Sequence, residues 1–114
     1  MKGDERRDIE AECAALSISY ARSIDFRDYD AFADLFTEDG VLNVGRPLEG
    51  RAAIEASLTR RPDELRSRHV LTNIFIDVLS ETDARGISYL TLYRHVGPES
   101  LDGKPIAFDG PAAP

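Results

Sequence analysis

Arg68-His69-Val70-Leu71-Thr72-Asn73-Ile74-Phe75-Ile76-Asp77-Val78-Leu79 is the stretch on which the fold turns. It is dense in Val, Ile, Phe and Thr, side chains that suit a pleated, half-buried surface, and it reads as a long β-strand. Successive strand side chains point to opposite faces, so strict alternation puts His69, Leu71, Asn73 and Phe75 on one face. Val70, Thr72, Ile74, Ile76 and Val78 fall on the other. The second face is apolar enough to pack on helices or a partner sheet. The first is mixed, as a pocket wall would be. A further strand, Ile87 to Val96, alternates and is rich in Tyr, Thr and Leu, with Glu81 to Gly86 as a hairpin connection.

Upstream of these strands the period changes. From Ile9, apolar side chains recur at Cys13, Leu16, Tyr20 and Ile24, the stripe of an amphipathic helix. Asp28 is placed to cap a second short helix, with Phe32, Leu35 and Phe36 facing inward. Glu38-Asp39-Gly40 is a turn and Val41-Leu42-Asn43-Val44 a short strand. Gly45 to Gly50 forms a loop or tight hairpin before a third helix, Arg51 to about Arg60, whose buried face is marked by Ile54 and Leu58 and which Pro62 closes. Helix, helix, strand, helix, strand, strand gives an α+β class, with helices on one side of an antiparallel sheet. The tail from Gly97 is rich in Gly and Pro.

Composition narrows the function. A chain of 114 residues, 42% hydrophobic and 31% charged, suits one globular domain spanning 1–114. A formal charge of −7 and a pI near 4.7 argue against nucleic-acid or anionic-membrane partners. Arg60, Arg61, Arg66 and Arg68, interrupted by Asp63 and Glu64, read as a solvated helix end and loop. Cys13 is alone, so no intrachain disulfide forms, and it lies on the helix stripe as a core residue. The first residues hold no apolar signal segment and no run is long enough for a membrane span, so a cytoplasmic location is expected.

Several local motifs, in their order and spacing, resemble the SnoaL-like branch of the NTF2-like superfamily over about Ile9 to Ala113. They are Ala15-Leu16-Ser17-Ile18-Ser19-Tyr20-Ala21, Ile24-Asp25-Phe26-Arg27-Asp28-Tyr29-Asp30, Leu35-Phe36-Thr37-Glu38-Asp39-Gly40-Val41, Leu48-Glu49-Gly50-Arg51-Ala52-Ala53-Ile54, and Arg68 to Asn73. The resemblance implies a cone: a curved sheet wrapped around a long helix, with an apolar pocket at its open end. In the scytalone dehydratase-like and hexachlorocyclohexane dehydrochlorinase-like members, an aspartate after the first helix pairs with a histidine on the first long strand. Those positions match Asp25 and His69. The implied chemistry is a β-elimination or related proton transfer with no metal and no organic cofactor.

The chain departs from that pattern twice. Ile24 stands where the dehydratases carry a tyrosine, and the final strands, usually closing with a Gly-Trp hairpin, have no counterpart in a chain without Trp. Without them the strand around Tyr89 to Tyr93 becomes an apolar sheet edge, and a homo-oligomer covering that edge or a sheet face is expected.

The candidate catalytic residues are therefore Asp25 and His69. A carboxylate holding an imidazole fixes its tautomer and leaves the other ring nitrogen to take a proton near neutral pH. Tyr20, Leu71, Asn73 and Tyr89 are candidate substrate-binding residues, Tyr20 or Asn73 also as a polarising donor. His95 beside Arg94, sharing a face with Tyr93, Thr91 and Tyr89, reads as a strand-end residue. Two distant histidines without HxxE or CxxC spacing make no metal set, and no Gly-rich phosphate loop occurs. The expected function is a cofactor-free lyase or isomerase acting on a small apolar molecule. The alternative is a non-catalytic ligand-binding or assembly module of the same superfamily.

Overall fold

A computed structural model describes residues 1–97 of the chain. The tail in which the family's final strands are expected to be lacking falls on residues 98–114, outside the described residues. Chain order runs α1 (Gly3–Asp25), α2 (Tyr29–Ala33), β1 (Val41–Asn43), β2 (Pro47–Glu49), α3 (Arg51–Leu58), β3 (Leu65–Val78) and β4 (Ala84–Val96). The class is α+β, a cone of helices against two antiparallel two-stranded sheets, β1–β2 and β3–β4, which is not closed among the described residues. No helix among the described residues is long and apolar enough to cross a membrane.

α1 ends in a structured turn that decides where Asp25 points. The Asp28 N–H donates to Ser23 O at 2.9 Å and the Arg27 N–H to Ile24 O at 3.3 Å, the paired bonds of a Schellman motif. Arg27 takes the left-handed position at φ 64°, a place usually filled by glycine. Its guanidinium reaches the carbonyls of Asp63 and Leu65, the latter at 3.3 Å. The end of α1 is thus tied to the start of β3. As expected, Asp28 then caps α2, its carboxylate accepting from Ala31 N at 3.2 Å. α2 stops at Ala33, and Leu35 and Phe36 follow it in a tight turn, half-buried.

The loop after Val44 is a hairpin. β1 pairs antiparallel with β2, Leu42 opposite Leu48, around Gly45 at φ 92°. Gly50, also at φ 92°, opens α3 and donates its N–H to Gly40 O at 2.7 Å. A side chain there would be strained by the backbone and would press on Glu38 O at 3.3 Å. Ile24, Phe32, Leu48, Ile54 and Leu58 form the buried core, with Tyr20, Tyr29, Phe36 and Leu42 packed around it.

Strict alternation fails along β3. The register runs evenly from Leu65↔Val96 to Thr72↔Tyr89, then resumes at Phe75↔Ile87, so Asn73 and Ile74 together face one residue of β4. Asn73 sits at φ 54°, the signature of a β-bulge. The bulge changes the strand's phase. Ile74, Ile76 and Val78 therefore join Ser67, His69 and Leu71 on the inner side, while Asn73 and Phe75 turn outward with Val70 and Thr72. Val70, Phe75, Ile87 and Tyr89 consequently lie exposed on the sheet's outer face. β4 pairs with β3 alone among the described residues, so its far edge is open there.

The helix stripe is buried unevenly. Ile24 is 5% exposed, but Leu16 is 50% exposed because it borders an open apolar cavity rather than a filled core. Cys13 is half-buried.

Candidate active site

The last residue of α1 meets the inner face of β3 through a single carboxylate. Asp25 Oδ1 lies 2.6 Å from His69 Nδ1 and accepts from Ser67 Oγ at 2.8 Å. Asp25 Oδ2 accepts the backbone N–H of His69 at 2.7 Å. Asp25 is 7% exposed and Ser67 3%, while the His69 side chain keeps 13% exposure. A buried carboxylate needs this many donors, because each unsatisfied lone pair out of water is costly. With an ionised carboxylate on Nδ1, that nitrogen carries the hydrogen and Nε2 keeps its lone pair.

Ser67 is absent from the site expected of the sequence. Its signal was its position two residues before His69 on one strand, which puts both side chains on one face.

His69 borders a cavity of about 420 Å³ whose walls include Tyr20, Phe32, Leu42, Leu48 and Leu92. Tyr20 also lines a second, mainly apolar space of about 450 Å³ with Leu16, Phe36, Leu71 and Leu90. The Tyr20 and His69 rings meet edge-on, centroids 6.3 Å apart. Burial pushes the Tyr20 phenol above its ordinary value of 10.0, opposed by the nearby positive charge of Arg61. Its hydroxyl is therefore a proton-bearing donor across the neutral range.

The sequence compared with family models matches the SnoaL-like domain over residues 5–108. The chain belongs to the SnoaL-like family. A comparison with curated proteins returns no match. Among solved structures, this SnoaL-like chain is similar to a Novosphingobium aromaticivorans protein provisionally named a scytalone dehydratase. The TM-score is 0.75 and the identity 22%, over 87% of this chain and 68% of the other. It also resembles a Catenulispora acidiphila protein, at TM-score 0.67 and 25% identity over 87% and 86% of the two chains. A third likeness is to an aspartate-to-asparagine variant of a Mycobacterium tuberculosis protein of unknown function. There the TM-score is 0.68 and the identity 28%, over 81% of this chain and 55% of that one. The family match and these likenesses together support the NTF2-like superfamily for this fold.

Within the SnoaL-like frame, the expected residues separate into two groups. Asp25, His69, Tyr20 and Leu71 converge on the inner face, around the two cavities. Asn73 and Tyr89 do not join them. Asn73 is carried outward by the bulge, and Tyr89 lies opposite Thr72 on the outer face, 63% exposed. His95 is on that outer face too.

The arginine cluster also divides. Arg61 turns inward to line the His69 cavity, whereas Arg66 bonds the carbonyls of Asp63 and Leu65 and Arg68 covers the Phe26 ring. Among the described residues no group of three or more His, Cys, Asp and Glu is placed to hold a metal ion.

Proposed function

We propose that this SnoaL-like chain is a cofactor-free lyase or isomerase in which His69 removes a proton from an acidic C–H and Asp25 positions it. One observation carries the reading: Asp25 grips His69 at ring and backbone together, on the wall of a cavity that Phe32, Leu42, Leu48 and Leu92 also line. In the proposed step Nε2 takes the proton and the electron pair moves into an adjacent carbonyl, giving an enolate. A leaving group on the next carbon departs, or the proton returns elsewhere. Asp25 stays ionised and stabilises the imidazolium. Tyr20, proton-bearing and beside His69, would donate a hydrogen bond to the enolate oxygen.

SnoaL-like domains generally bind small ligands, which supports a small-molecule substrate. We further propose a homo-oligomer in which the exposed outer face bearing Phe75, Ile87 and Tyr89 is covered.

The test is deuterium incorporation from heavy water into a panel of ketones and β-hydroxyketones, followed by NMR, with wild type and His69→Ala. Exchange or elimination by wild type alone supports the reading. No turnover across the panel favours the binding-module alternative, and equal turnover by the variant removes His69 as the base.

A further inference from the structure

The cavity beside His69 is unevenly charged. Arg46 from the β1–β2 hairpin, Arg61 after α3 and Arg94 from β4 line it together. Arg60 joins the same arginines and His69 around an adjoining space of about 310 Å³. Arg46, Arg61 and Arg94 come from separate elements and only Arg60 adjoins another of the set, so the convergence is a product of the fold.

The chain as a whole is acidic, with 21 Asp and Glu against 14 Lys and Arg. Yet no Asp or Glu among the described residues lines either space. Asp25 stands behind the wall with both oxygens engaged by Ser67 and His69. Among the described residues, none of Arg46, Arg60, Arg61 and Arg94 is in an ion pair. Arg61 donates Nε–H to the Tyr29 hydroxyl at 3.1 Å and its guanidinium carbon lies 5.8 Å from that ring's centroid. Those contacts orient the group without neutralising it. Like charges gathered in one concavity repel one another and attract a counter-ion into it.

Guanidinium groups present planar, forked donors that match a carboxylate. We infer that the site takes an organic carboxylate, its apolar body lying toward Tyr20, Leu71 and Leu90 and its charged group on Arg46, Arg61 and Arg94. The inference rests on the proposed acid–base reading for the chemistry at His69 and adds the class of molecule that reaches it. A carboxylate held there leaves the neighbouring carbon chain beside His69, the site of proton removal.

The experiment measures binding of 2-naphthoate and its neutral counterpart 2-naphthamide to the full chain by calorimetry. The proteins are wild type, Arg46→Gln, Arg94→Gln and His69→Ala. The acid should bind wild type at least about tenfold more tightly than the amide, the increment expected of a charge-assisted contact. Arg46→Gln and Arg94→Gln, both at exposed positions outside the core, should each erode that preference. His69→Ala should keep it while losing proton transfer. Equal binding of acid and amide by wild type overturns the inference, as does a preference untouched in both arginine variants. A preserved acid preference in a protein that exchanges no protons defeats the enzymatic reading alone. Proton transfer on neutral ketones with no acid preference defeats this inference alone.

Discussion

Asp25 holds His69 at two points, ring Nδ1 at 2.6 Å and backbone N–H at 2.7 Å, so one carboxylate fixes both the strand and its side chain. Asp25→Asn keeps the shape but offers an amide nitrogen where an acceptor is required. We expect proton-transfer activity to fall roughly 10²–10⁴-fold, the range associated with a positioned acid–base pair and its orienting partner. Nitrogen-15 NMR should show His69 held as the Nδ1–H tautomer in wild type and as a mixture in Asp25→Asn. An unchanged tautomer with unchanged activity would remove Asp25 from the mechanism.

Ser67→Ala deletes one donor to Asp25 Oδ1 and leaves the others. The expected loss of stability is about 1 kcal/mol, the net worth of one hydrogen bond, read by urea denaturation. Activity should decline less than in Asp25→Asn, because the imidazole retains its carboxylate.

Alkaline pH should destabilise the fold through Tyr20. Its phenol is raised by burial, so the folded chain holds that proton more tightly than the unfolded chain does. The resulting stability is complete below the ordinary value of 10.0 and is lost as pH climbs through the raised folded value. Melting temperatures between about pH 9 and about pH 11 should therefore fall more steeply for wild type than for Tyr20→Phe. Parallel curves would contradict the assignment.

Ile54 is fully enclosed at 0% exposure between α3 and the Ile24–Phe32 layer. Ile54→Ala should cost about 2–5 kcal/mol, as lost burial plus the cavity left behind. A loss under about 1 kcal/mol, measured in urea, would mean the layer collapses to fill the gap.

Wild type should run on a sizing column above the 12.6 kDa of one chain, and Phe75→Ser with Tyr89→Ser should shift it downward. A wild-type monomer at micromolar concentration would eliminate the homo-oligomer proposal.

The helices were legible because their signals are local, whereas the approach of Asp25 to His69 was implied by the family resemblance and by no local pattern. Ile9 to Ile24 keep a helical stripe, Asp28 is a capping residue, and Asp25 and His69 sit inside recognisable motifs. The facing of β3 beyond Thr72 was not legible, because alternation presumes one residue per step and Asn73 inserts an extra one. Asn tolerates a left-handed backbone in many turns, so its identity alone does not mark a bulge. The inward turn of Arg61 and the approach of Arg46 and Arg94 are tertiary facts with no short-range pattern behind them.

The bulge has a consequence for how this strand tolerates changes in length. Asn73 is the surplus member of the Asn73–Ile74 pair, and without it Ile74 would stand opposite Ser88, between Thr72↔Tyr89 and Phe75↔Ile87. Excising Asn73 thus leaves every remaining side chain of β3 facing the way it already does. Removing Val70 instead would turn either the His69 half or the Leu71 half inside out. Asn73 is the hinge of the strand's parity, a position where the chain can shorten by one without exchanging its interior for its surface.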